Sequence, residues 1–155
     1  MANLLTPVET CRDAMLASMQ SIAKLNNKVL FSANEDSFLD NIKGVKSFPA
    51  GFVLYEGMRA TPEQGSLKIG GMAEMVFSLV VVSRDTAILS TDQAKDEAIK
   101  ILDALRHGLL GVTSPTGHKW KFLVEAAASE RDGALFWVQR WSTPISLVGR
   151  PAYPT

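Results

Sequence analysis

The sequence is short of the residues that small proteins use for chemistry. Its 155 residues include one cysteine, Cys11, and two histidines, His107 and His118. A single cysteine excludes an intrachain disulfide and a CxxC metal site. Neither histidine has a Cys, Asp or Glu neighbour at metal-ligand spacing. No GxxxxGK[ST] or GxGxxG segment follows a candidate strand, so no phosphate-binding loop is readable. An excess charge of one sign is missing as well: 16 Lys+Arg face 16 Asp+Glu. That balance makes nucleic acid and anionic membranes poor main partners, and it leaves copies little repulsion to keep them apart. The longest apolar run, Leu79–Val82, is far below the roughly 20 residues needed to span a bilayer. Met1–Leu5 has neither the basic region nor the apolar run of a secretory signal. These absences predict a protein kept, or assembled into something larger, in a reducing cytoplasm.

What is present suffices for one core. Hydrophobic residues make up 46% and charged residues 21%, the balance of an ordinary globular chain. The expected organisation is a single α+β domain over 1–148 and a tail, 149–155, without secondary-structure signal. The first helix is marked by Thr6-Pro7-Val8-Glu9, a capping box with proline at the first helical position. Cys11, Met15, Leu16, Met19 and Ile22 recur on one stripe, and Asn26-Asn27 is the expected end. Val29-Leu30-Phe31 is a short apolar run in a less regular stretch. Gly51–Met58 and Ala73–Ser83 read as strands, the second rich in β-branched residues. The segment between them, Ala60–Met72, is long for a hairpin connection. Ser90-Thr91-Asp92-Gln93 opens a second helix, with Ala94, Ala98, Ile101, Leu102 and Leu105 on its buried stripe and Gly108 as its stop.

The last third predicts a hairpin. Trp120, Phe122 and Val124 alternate with Lys119, Lys121 and Leu123, and Arg131-Asp132-Gly133 supplies the turn. In the strand Leu135–Leu147, Trp137, Trp141 and Ile145 share one face and Arg140 and Ser142 lie on the other. Pro144 asks for an edge position or a bulge. The expected fold is a mostly antiparallel sheet in the order α-β-β-α-β-β, with both helices on one face.

The candidate chemistry is bland. Cys11 sits on a buried stripe, His107 at a helix end, and His118 in the loop Ser114–Gly117. The three tryptophans suit cross-strand packing in a core, with an interface platform as the alternative. Met58, Met72 and Met75 flank the long loop, as core filling or as an adaptable contact. No catalytic, cofactor or metal residue is expected.

One pattern is informative. Ala104-Leu105-Arg106-His107-Gly108, then Trp120-Lys121-Phe122, then Asp132-Gly133-Ala134-Leu135-Phe136-Trp137-Val138-Gln139-Arg140-Trp141-Ser142-Thr143, resembles the C-terminal half of the tail terminator (tail completion) proteins of Mu-like contractile-tailed bacteriophages. The resemblance is tight over about residues 98–147 and otherwise one of element order. It implies a structural virion protein, assembled in the host cytoplasm, that forms a ring with itself, commonly hexameric. The ring would cap the head-proximal end of the tail tube and sheath, meet neck or connector proteins of the head, and pass DNA through its lumen. No membrane partner is implied. The family supplies no residue that can be carried over by position. Candidate interface residues are Arg59, Glu63 and Lys68 at the long loop and Arg150 and Tyr153 in the tail. Another neck or head-completion connector, or a small-molecule-binding α+β domain, is the alternative.

Overall fold

The computed structural model describes residues 6–25, 29–32, 40, 45, 47–60, 70–84, 91–131 and 134–148. Helix α1 spans Pro7–Gln20. Its capping box is complete: the Glu9 backbone N–H donates to the Thr6 hydroxyl, and the Thr6 N–H donates to the Glu9 carboxylate at 2.8 Å. The helix ends earlier than Asn26, at a Ser21 cap, and a 3-10 turn, Ala23–Leu25, carries the chain on. Helix α2 spans Thr91–Leu109. It runs through Gly108. The chain departs at Gly111, whose φ of +77° suits a residue without a side chain.

The sheet has five strands in the order β1-β2-β3-β5-β4. These are β1 Val29–Ser32, β2 Ala50–Ala60, β3 Gly70–Arg84, β4 Lys121–Arg131 and β5 Ala134–Val148. Four pair antiparallel, and β1, the short apolar run, adds a parallel edge beside β2. The α-β-β-α-β-β order holds with this one addition. The connection between β2 and β3 is shorter than expected, because Ala60 ends β2 and Gly70–Met72 open β3. The β3–β5 ladder is the backbone of the fold, continuous from Gly70 opposite Val148 to Arg84 opposite Ala134.

Both helices lie on one face. Cys11, Met15 and Met19 of α1 and Ala98, Ile101, Leu102 and Leu105 of α2 close over Val53, Phe77, Leu79, Val81 and Trp141. Lys24, in the 3-10 turn after α1, pairs with Glu97 of α2 at 2.8 Å. Among the described residues the other face is covered at one end only. There Phe52, Leu54, Val80, Val82 and Phe136 form a second cluster beneath Val45 and Phe48. Pro144 sits where the sequence asked. Beyond Ser142, opposite Lys121, β5 pairs with β3 alone.

One alternation is corrected. Phe122 stands opposite Trp141 but Val124 stands opposite Arg140, so Leu123 is an extra residue in β4. This bulge flips the strand's parity. Val124 turns to the open face, and Glu125, opposite Gln139, takes the helix side.

Candidate assembly surface

The two faces hold their polar groups differently. On the helix side a buried chain of bonds joins α2 to the hairpin. The fully buried Gln139 donates from Nε2 to the Leu102 carbonyl at 2.8 Å and to Glu125 Oε1 at 2.7 Å. Its own Oε1 accepts from Trp141 Nε1 at 3.1 Å. Arg106 closes the chain, donating to Glu125 and to Asp103. Nearby, the Ser114 and Thr143 hydroxyls meet at 2.6 Å beside Thr116. These contacts fix elements. The aromatic residues do the same: Trp120 packs edge-on against Phe77, and Phe122 edge-on against Trp141. Trp120 and Trp141 are buried and Trp137 packs half-buried on the same core, so the tryptophans belong to the core. Cys11 is buried there as well, and burial pushes its thiol up to about 11. A buried, protonated thiol is a poor nucleophile. His107 is exposed, its Nδ1 2.9 Å from the Asp103 carbonyl at the end of α2.

On the open face β2 carries a second bulge. Tyr55 pairs with Phe77 and Gly57 with Val76, which leaves Glu56 extra. Gly57 makes the kink with a φ of +114°. Because Phe77 faces Trp141, the two bulges flank the same level of the central ladder. Between them the sheet is hollowed into a concavity of about 540 Å³. Glu56, Gly57, Met58 and Arg59 line one side, and Leu123 and Val124 the other. Val76 and Arg140 form the floor. Met58, Leu123 and Val124 are among the exposed large apolar residues. The Ser78 hydroxyl donates to Glu56 at 2.6 Å, and Arg140 Nε reaches Ser78 Oγ at 3.4 Å. The terminal nitrogens of Arg140 have no partner among the described residues. Glu56 and Arg140 thus meet at Ser78 within the hollow.

Above the hollow lies an ion triad. Glu74 accepts from Lys121 at 3.0 Å and from Arg59 at 3.2 Å. The Lys121 hydrogen bond, aided by Arg59 and opposed by burial, holds this carboxyl below its ordinary range. The triad stitches β2, β3 and β4 across the open face. Of the sequence candidates only Arg59 is therefore placed; Glu63, Lys68, Arg150 and Tyr153 lie outside the described residues. The topology does join the strand ends that lead to them. Ala60 pairs with Ala73, and Gly70 pairs with Val148. The long loop and the tail thus leave one end of the sheet.

The concavity was legible in two signals that strand reading passed over. Glycine inside a strand, Gly57, marks a bulge. Three consecutive apolar residues on an edge, Phe122-Leu123-Val124, break the period of two that a regular half-buried strand keeps. The Gln139 chain had no sequence signal, since its partners lie on α2, β4 and β5.

Among the described residues no group of three His, Cys, Asp or Glu could hold a metal, and no helix is long and apolar enough to cross a membrane. This surface presents strand ends, exposed apolar side chains and an ion triad. The phage tail terminator protein family matches residues 36–149, and the chain belongs to that family. It is a structural protein of phage tails. No curated protein sequence matches the chain. Among solved structures it is similar to a chain of the virion of a native gene transfer agent particle, at 16% identity and a TM-score of 0.49, over 88% of this chain and 92% of that one.

Proposed function

We propose that copies of this chain close into a homo-oligomeric, hexameric ring on the head-proximal end of the tail tube and sheath. The ring stops tail growth by covering the surface on which the next layer would build. Its opposite side offers a joining surface to neck or connector proteins of the head, and DNA passes through the lumen. The site of action is the tail–neck junction, and assembly takes place in the host cytoplasm. The family match over residues 36–149 carries this reading. Two features of the surface support it. Among the described residues one face of the sheet is partly open, and the strand ends that lead to the loop and the tail lie side by side, where a neighbour can meet both. A ring needs a heterologous contact, one patch on each copy meeting a different patch on the next. An open face and a bundle of strand ends are two such patches.

The solution mass tests the ring. Light scattering behind a sizing column, over a concentration series, is expected to give a discrete species of about six times the 16.8 kDa of the chain. Added to purified tail tubes, the protein is expected to cap one end and block further polymerisation. A monomer at every concentration that also leaves tube ends free to grow overturns the reading.

A further inference from the structure

We propose that the concavity on the open sheet face receives the C-terminal segment, residues 149–155, of a neighbouring copy, with Tyr153 seated among Val76, Leu123 and Val124 against Arg140. The inference rests on the ring reading and names the contact that builds it.

Two observations select the occupant, and the first is reach. The segment leaves the sheet at Val148, opposite Gly70. Folded straight back over its own β5 through a two-residue turn, Tyr153 would stand level with Ser146. The floor of the concavity runs from Val76, level with Ser142, to Arg140, level with Ser78 and Val124. Four to six residues of strand, about 13–20 Å at roughly 3.3 Å each, separate this floor from that level. A tyrosine side chain does not bridge that distance, so Tyr153 of the same copy does not reach Val76 and Arg140, and the seat is filled from another copy. The second observation is chemistry. The hollow offers apolar walls, an acid at Glu56, and an exposed guanidinium whose terminal nitrogens have no partner among the described residues. The segment Arg150-Pro151-Ala152-Tyr153-Pro154 offers the complement. Its aromatic ring suits the apolar walls and the face of Arg140, its cation suits Glu56, and its two prolines lower the cost of ordering it. The docking also accounts for two exposed apolar residues of the β4 bulge, Leu123 and Val124, on the part of the face that carries the ion triad. Amphipathic aromatic anchors of this kind dominate interface energies.

Mixing two singly substituted full-length chains, Val124→Cys and Tyr153→Cys, under mild oxidation tests the contact. The native Cys11 is buried and stays out of the exchange. A covalent dimer that needs both chains in the mixture is expected. A chain carrying both substitutions is expected to give a ladder of multiples on a non-reducing gel. Closure of that pair within single chains overturns the exchange. So does the absence of any cross-link while the mass remains that of the ring, and in that case the ring reading stands alone. If the wild-type chain forms no multimer either in solution or on tail tubes, both readings fall. Tyr153→Ala is expected to raise the concentration at which the ring dissociates by about tenfold or more, with the thermal midpoint of the isolated subunit unchanged. An unchanged dissociation point overturns the assigned role of Tyr153.

Discussion

Strand β5 carries the two faces of this protein in alternate residues, and neighbours only one position apart live under different rules. Gln139, Trp141 and Thr143 face the helices, and each is fully buried with its polar atoms bonded. Arg140, one step away, faces outward and is exposed, its one bond among the described residues running from Nε to Ser78 Oγ at 3.4 Å. Ser142 also faces outward, and its hydroxyl is buried without a partner among the described residues. The helix-side groups are spent on holding α2 and the hairpin to the sheet. The open-face groups are not committed in that way. One strand therefore divides stability from contact, and a substitution at one position should leave its neighbour's role intact.

The sharpest break in that comparison is Trp141→Ala against Arg140→Ala. Removing a fully buried tryptophan from the centre of the ladder should cost about 3–5 kcal/mol. Truncating the exposed Arg140 should stay within about 0.5 kcal/mol. Urea unfolding of the two variants reads both values, and equal losses would sink the division of faces. Gln139→Ala comes next. It strands the Trp141 indole N–H and removes a donor from both Leu102 and Glu125. Each buried group left unpaired costs about 1–3 kcal/mol, so the variant should lose at least about 2 kcal/mol. Loss of the α2 anchor should also appear as faster amide exchange in α2 than in β3; uniform exchange would place the anchor elsewhere. The smaller pair is Thr143 and Ser142. Thr143→Val removes a partner of Ser114 and should cost about 1 kcal/mol, whereas Ser142→Ala removes an unpartnered hydroxyl and should be neutral or slightly stabilising. A Ser142→Ala loss as large as that of Thr143→Val would mean that the hydroxyl has a partner after all.

The helix-side half of this arrangement was readable from sequence. Capping residues set the start of α1, the spacing of Cys11, Met15 and Met19 set its buried stripe, and Trp137, Trp141 and Ile145 announced their shared face. Such signals are local, because period and caps are properties of consecutive residues. The open face was less legible because it depends on register. The Leu123 bulge moved Val124 and Glu125 to faces opposite those that strict alternation assigns. Only the pairing of β4 with β5 reveals this. The same holds for Gly108, a sound helix stop by composition, where the chain instead turns at Gly111. The meeting of Arg59 with Glu74 and Lys121 joins residues 15 and 47 positions apart, a distance over which periodicity says nothing.

The smallest expected effect lies on the open face and concerns acid. The Glu74 carboxyl is held below its ordinary value by Lys121 first and Arg59 second. A group whose pKa is lower folded than unfolded adds stability that is fully present above the unfolded value. That stability drains away as pH falls through the folded one. The window therefore opens near the ordinary value of 4.5 and extends below it. Both cations are more than half exposed, so solvent and salt screen the pair and the effect at neutral pH is slight. Glu74→Gln should shift the thermal midpoint little at pH 7. It should flatten the fall of that midpoint with pH below about 4.5. The difference between the variant and the parent should shrink as salt is added, since exposed pairs are screened within about 10 Å at 0.1 M. Trp141→Ala, by contrast, should lose the same amount at pH 7 and at pH 4, because nothing in its loss titrates. If the Glu74→Gln profile stays parallel to the parent through the acid range, the triad does not stabilise the open face, and that face is held together by its ladder alone.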